Sequence, residues 1–207
     1  MLRKVLLVFG VLVVVLAVII ATRPSTYRVE RSTRIAAPPD IVFGLVNDLH
    51  AWDRWSPWAK LDPSMKTTYG GPPVGEGATY AWTGNDKVGE GNLRITESRP
   101  AQKVGIRLEF IKPMHGQSQT DFTFKPEGGG TQVSWAMSGT NDFMLKAMSA
   151  FGDMDAMIGN DFDKGLRSLK AVSEKAAQAN AAAAAAAAAT PPPTVPSVPA
   201  PQTAVPR

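Results

Sequence analysis

Cysteine is absent from this chain of 207 residues. Disulfide frameworks, thiolate zinc sites, iron–sulfur clusters and cysteine nucleophiles are therefore excluded. Histidine is nearly absent, with only His50 and His115. Asp48, His50 and Asp53 lie close together but match no standard ligand spacing, so neither a metal nor a cofactor is expected. Ser56 lacks the G-x-S-x-G context of a nucleophile elbow. The glycines from Gly70 to Gly77 are not followed by G-K-[ST], so they read as turns rather than a phosphate loop. Basic charge is also scarce where a nucleic-acid binder needs it. The net charge is +4, from 22 Lys and Arg against 18 Asp and Glu. Seven of the basic residues are Arg3, Lys4, Arg23, Arg28, Arg31, Arg34 and Arg207, near the two ends, which leaves the middle slightly acidic. No nucleic-acid partner is expected.

What the chain does have is apolar content of 44% and five Trp, enough for a core. Residues 5–22 carry no charge. As a helix they would rise about 27 Å, enough for a thin bilayer core. The run exceeds the roughly 7–15 residues of a signal-peptide core. Ile19 would sit at −3 for a cut after Ala21, so a retained single-pass anchor fits better than a cleaved signal. Arg3 and Lys4 favour the N-terminus inside, while the four Arg after the span favour the opposite. The export-like start tips the expectation towards a domain on the outer, periplasmic side. The four Arg read as stop-transfer flanks and strand surface, with contact to anionic headgroups as the rival reading.

At the other end, Ala181 to Ala189 is unbroken alanine, followed by Pro191, Pro192 and Pro193. Alanine extends a preceding helix and proline stops it. The expected division is a short tail 1–4, an anchor 5–22, a domain 23–178 and an Ala/Pro-rich disordered tail 179–207. Pro193 and Pro196 make a PxxP pattern that offers a route to a protein partner, although a spacer is the plainer reading.

The middle alternates apolar and polar residues in short runs bounded by turns. Strands are expected at 26–36, 65–69, 78–83, 90–97, 103–111, 117–125 and 131–138, with a short helix 41–47 entered through Pro38, Pro39 and Asp40. His50 to Trp58 is an irregular aromatic stretch. Val104, Ile106, Leu108 and Phe110 share one face, as do Phe122 and Phe124, and Val133, Trp135 and Met137. One dry and one wet face mark an antiparallel sheet. Residues 142–178 read as a long helix whose Met144, Ala147, Phe151, Met154, Ile158, Phe162, Leu166 and Leu169 fall within about 60° of one line. That stripe must cover the dry face of the sheet, and a curved sheet gripping one helix leaves an apolar pocket.

The segment from Ala37 through Pro38, Pro39, Asp40, Ile41 and Val42 to Phe43 resembles the first-helix start of the SRPBCC, or START-like, superfamily of polyketide cyclase/dehydrase and lipid-transport type. Trp52, Asp53, Arg54, Trp55, Ser56, Pro57 and Trp58, then Leu61 to Pro63, resemble the following loop in its bacterial membrane-anchored members. Glu127 to Thr131, Ile158 to Phe162, and Gly165 with Leu166 resemble its last hairpin and helix. The likeness spans roughly 26–175. It implies an α+β helix-grip fold with a cavity for an apolar ligand, and no shared catalytic set; fold alone does not choose among carriers, receptors, cyclases and hydrolase activators.

Cavity candidates are Tyr80, Trp82, Ile106, Leu108, Phe122, Trp135, Met144, Phe151, Asp155 and Ile158. Asp155, about 40° from the helix stripe, is the one candidate catalytic group, since a carboxylate facing the cavity would have a raised pKa. A hydrogen-bonded structural role competes with that reading. Trp52, Trp55 and Trp58 form a lid at the mouth, an interfacial anchor for the membrane, or a packed satellite cluster. The leading reading is a non-enzymatic, membrane-anchored binding module for a lipid-like or aromatic ligand. A cyclase or dehydratase with Asp155 as general base, and an envelope protein–protein adaptor, are the alternatives.

Overall fold

The computed structural model describes residues 2–22, 24–140, 146 and 154–189. Helix α1 spans Leu2–Ala21 and is long and apolar enough to cross a membrane, with a mean hydropathy of 3.1 in its most apolar stretch. Seven strands follow: β1 (Thr26–Ile35), β2 (Lys66–Gly70), β3 (Thr79–Thr83), β4 (Glu90–Arg99), β5 (Lys103–Lys112), β6 (Gly116–Glu127) and β7 (Gly130–Thr140). Helix α2 (Pro39–Asn47) and a 3-10 turn (Leu49–Arg54) lie between β1 and β2. Helix α3 covers Met154–Ala189. The strands make one antiparallel sheet in the order β1-β7-β6-β5-β4-β3-β2.

The expected alternation decides which face is dry. Val104 and Ile106, Phe122 and Phe124, and Val133, Trp135 and Met137 are all buried. The β6–β7 hairpin closes through Gly128 and Gly129, both at positive φ (53° and 78°), as a two-residue turn of matching twist demands. In β4 the register slips between Ile95 and Glu97, a bulge that bends the strand.

The α3 stripe meets the sheet through Phe162, Leu166 and Leu169, all buried. Gly165 permits close approach: a Cβ there would lie 2.6 Å from the Trp135 ring and 3.1 Å from Pro57 Cδ. Ala177 still packs against the core. Beyond it the helix continues through the exposed alanine tract to Ala189, so residues 179–189, expected as part of the disordered tail, are helical; helix propensity rather than packing sustains them.

Register also gives the sheet two distinct ends. Thr26 pairs with Thr140, Phe110 with Gly116, Glu90 with Lys112, and Thr83 with Lys66. These residues therefore share one end, called the near end because α1 leads into it. The hairpin at Gly128–Gly129 and the turn Pro100–Gln102 lie at the far end. Helix α3 runs from near to far: Arg31 Nη2 donates to Asp155 Oδ2 at 2.8 Å, and further along Glu174 accepts from Ala36 N at 2.8 Å.

Candidate functional site

A cavity of about 270 Å³ opens in the near half of the sheet. Its floor is the inward row of five strands: Tyr80 and Trp82 from β3, Leu93 from β4, Ile106, Leu108 and Phe110 from β5, Thr120 from β6, and Trp135 and Met137 from β7. Period-two alternation puts each of them on the same face. Trp52, Asp53, Ser56 and Trp58 of the aromatic stretch, with Ala59 and Met65 after it, form one wall. Of the lining residues, Asp86 and Lys87 of the β3–β4 turn, with Lys112 and Pro113, are exposed, and they edge the mouth.

Local chemistry holds these walls. The Trp52 and Trp55 indole N–H groups donate to the Val46 and Leu45 carbonyls at 2.9 and 3.0 Å. They thereby satisfy carbonyls in the last turn of α2, which lack helical partners. Trp82 donates to Val88 O at 2.9 Å and ties the floor to the mouth turn. Its ring lies over Gly91, where a Cβ would sit 2.5 Å from it. Tyr80 has its phenol pushed up to about 12, first by burial and then by Tyr69 and Asp53. It stays a neutral hydroxyl at any physiological pH.

Asp62 clamps the mouth. Its buried carboxylate accepts from Ser64 Oγ at 2.7 Å, Ser64 N at 3.0 Å and Asn85 N at 2.7 Å, joining the aromatic stretch to the β3–β4 turn. The Ser64 hydroxyl, then the Asn85 N–H, hold its carboxyl below the ordinary 3.8. A lowered native pKa stabilises the fold fully above the unfolded value, and that stabilisation is lost as pH falls through the native value. Asp62→Asn should thus melt below wild type at pH 7, because its amide N–H faces a donor. The gap should close on acidification below pH 3.8 as the wild-type carboxyl protonates. Melting curves from neutral to acid pH check this; a pH-independent gap would mean the clamp is not ionic.

Two buried polar atoms in the cavity-lining residues have no hydrogen-bond partner among the described residues: Thr120 Oγ1 and Trp135 Nε1. Such an orphan costs about 1–3 kcal/mol.

Of the residues expected from sequence, Trp52, Trp58, Tyr80, Trp82, Ile106, Leu108 and Trp135 come together around the cavity. Trp55 and Phe122 do not line it. They are core side chains, with Trp55 edge-on to both Phe122 and Trp135 at 6.0 and 5.8 Å. Ile158 packs half-buried against the core. Met144 and Phe151 lie outside the described residues.

Asp155 is a correction. It does not line the cavity; its side chain is 56% exposed and paired with Arg31, which also approaches Asp163 at 3.6 Å. Its carboxyl is held below, not above, the usual value, chiefly by the Arg31 hydrogen bond. Arg31 stands on the inner row of edge strand β1, and its guanidinium packs directly against Gly159 of α3. The edge strand thus meets Asp155 with a cation, where the carboxylate was expected to face the cavity. Arg28 pairs with Glu30 and Arg34 donates to Gly128 O, so these arginines serve the strand surface.

The cavity also lies further from α3 than expected. Trp135 stacks on Phe162 at 4.1 Å and 9°, filling the space between helix and sheet. No described residue of α3 lines the cavity. Sequence reasoning left out Leu93, Phe110, Met137 and Thr120 as lining residues. The first three extend apolar rows, and Thr120 continues the inward row of Phe122 and Phe124 as a polar residue. Met65 and the 86–89 turn carry no such signal. Among the described residues, no cluster of three acidic or histidine side chains forms.

A curved antiparallel sheet, one long helix across it and a cavity on the same face define a helix-grip domain. The chain belongs to the polyketide cyclase / dehydrase and lipid transport family, whose sequence model matches residues 26–174. Solved structures show the same fold. A protein from Rhizobium leguminosarum superposes with a TM-score of 0.54 at 15% identity, covering 72% of this chain and 95% of its own. One from Chromobacterium violaceum gives 0.52 at 18%, covering 73% and 99%. Aha1 from Colwellia psychrerythraea, solved as a dimer, gives 0.51 at 16%, covering 72% and 96%. Among the curated proteins, none matches this chain.

Proposed function

We propose that the protein is a membrane-anchored binding module that holds a small apolar or amphipathic ligand, lipid-like or aromatic, in the cavity over the near half of the sheet. The observation that carries this reading is the composition of the cavity wall. It is built mainly of aromatic and aliphatic side chains, with Thr120 and Ser56 among them and charged groups such as Asp86, Lys87 and Lys112 at its edge, as ligand sites are. Its volume is just below the usual range of about 300–1,000 Å³, which suits a compact ligand or one segment of a longer one. Thr120 Oγ1 and Trp135 Nε1 favour a ligand with an oxygen that accepts from the indole and pairs with the hydroxyl. Helix α1 supplies the anchor.

The enzymatic alternative names Asp155 as its general base, and that carboxylate is paired with Arg31 rather than placed in the cavity. The adaptor reading rests on the sheet or on the Pro-rich tail, and the tail lies outside the described residues.

The test is solvent extraction and native mass spectrometry of the full chain purified in a mild detergent. We expect an apolar, oxygen-bearing molecule to co-purify. The Asp155→Asn variant should carry it to within about twofold of wild type, a binding difference of about 0.4 kcal/mol. A protein that arrives empty and takes up no added fatty acid or naphthol overturns the reading; loss of ligand in Asp155→Asn restores the catalytic candidate.

A further inference from the structure

We propose that the cavity opens towards the bilayer holding α1, so that ligand passes directly between the cavity and the facing leaflet. The inference rests on the membrane-anchor reading above and adds an orientation to it.

Connectivity is the first ground. Only residues 22–25 separate α1 from β1. Four residues span at most about 14 Å when fully extended. The near end of the sheet, where β1 begins, is therefore held at the membrane surface.

The second ground is the place of the mouth. The 86–89 turn leaves β3 at Thr83 and enters β4 at Glu90, and Lys112 and Pro113 close β5. Register puts Thr83, Glu90 and Lys112 at the end shared by Thr26 and Thr140. The cavity mouth and the anchor thus leave the domain from the same end, although they lie on different strands.

The third ground is what surrounds the mouth. Outside α1, the exposed large apolar side chains among the described residues are Leu61, Val74, Met114 and Met157. Leu61 lies beside the β3–β4 turn, with Asn85 Nδ2 3.5 Å from its carbonyl, and Met114 tips the β5–β6 turn. Met157 lies in the first turn of α3, which starts from the near end. Three of the four therefore lie towards the near end of the sheet. The charges beside them are mixed, Lys87 and Lys112 against Asp86 and Glu90. Apolar insertion at the interface, not attraction to anionic lipid, is the expected contact.

The absence of cysteine makes a labelling test clean. Met114→Cys places one label at the near end, and Gln102→Cys places one on an exposed far-end turn. Neither residue lines the cavity. Each full-length variant is labelled with an environment-sensitive fluorophore and reconstituted into phosphatidylcholine vesicles containing lipids spin-labelled near the headgroup. The expected result is quenching several-fold stronger at position 114 than at 102, unchanged when anionic lipid is added. Equal quenching, or stronger quenching at 102, overturns the orientation. Release of the chain from vesicles by alkaline carbonate overturns the anchor reading, and the orientation with it. An empty cavity would leave the quenching pattern intact, so failure of the ligand reading shows separately.

Discussion

Trp135→Ala should lower the stability of the protein by about 3–5 kcal/mol, the usual cost of truncating a buried aromatic to alanine. Trp135 is 1% exposed and lies where helix, sheet and aromatic stretch meet. It stacks on Phe162 at 4.1 Å and on Phe122 at 4.7 Å, and meets Trp55 and Trp58 edge-on at 5.8 Å each. Gly165 brings α3 down onto this ring. Alanine would leave a void continuous with the existing cavity, and side chains packed around an enlarged space cannot collapse to fill it. Trp135→Phe keeps a ring between Phe122 and Phe162 and removes the orphan indole N–H, so its loss should be distinctly smaller. Urea unfolding followed by far-UV circular dichroism measures both variants. A loss under about 1 kcal/mol for alanine would mean that the stack is not the joint between helix and sheet.

Leu108→Trp should abolish ligand binding while sparing the fold. Leu108 sits in the cavity floor, paired with Leu93 on β4 and Ser118 on β6, and is only half-buried. An indole there enters existing space rather than a packed core, so the strain of overpacking is small. It also takes volume from a cavity of about 270 Å³ that has little to spare. The co-purifying molecule should fall at least about tenfold, equivalent to 1.4 kcal/mol of binding free energy. The melting temperature should stay within a few degrees, about 1 kcal/mol for a domain of this size. Retained ligand in a folded Leu108→Trp variant would place the binding site elsewhere.

The strands were legible because this sheet keeps one face dry. Alternation in 103–111 and 131–138 identified both strand and inward row, and Gly128 with Gly129 marked the hairpin. The aromatic floor of the cavity followed from those rows. What could not be read was which half of the dry face would keep the space, and how far from α3 it would lie. That depends on Phe162 meeting Trp135 face to face, a contact between residues 27 positions apart. Asp155 failed for a related reason. A helical wheel gives its angle about α3 but not the Arg31 guanidinium brought up by the edge strand. Thr120 carried a usable signal, a hydroxyl in an inward row of phenylalanines, which the apolar pattern alone passes over.

The overrun of α3 gives the molecule a built-in handle. From Ala177, the helix continues to Ala189 as an exposed rod of about 18 Å. It leaves from the far end, opposite the cavity mouth. A reporter or affinity tag fused after the alanine tract would be carried clear of the packed domain, leaving the mouth unobstructed.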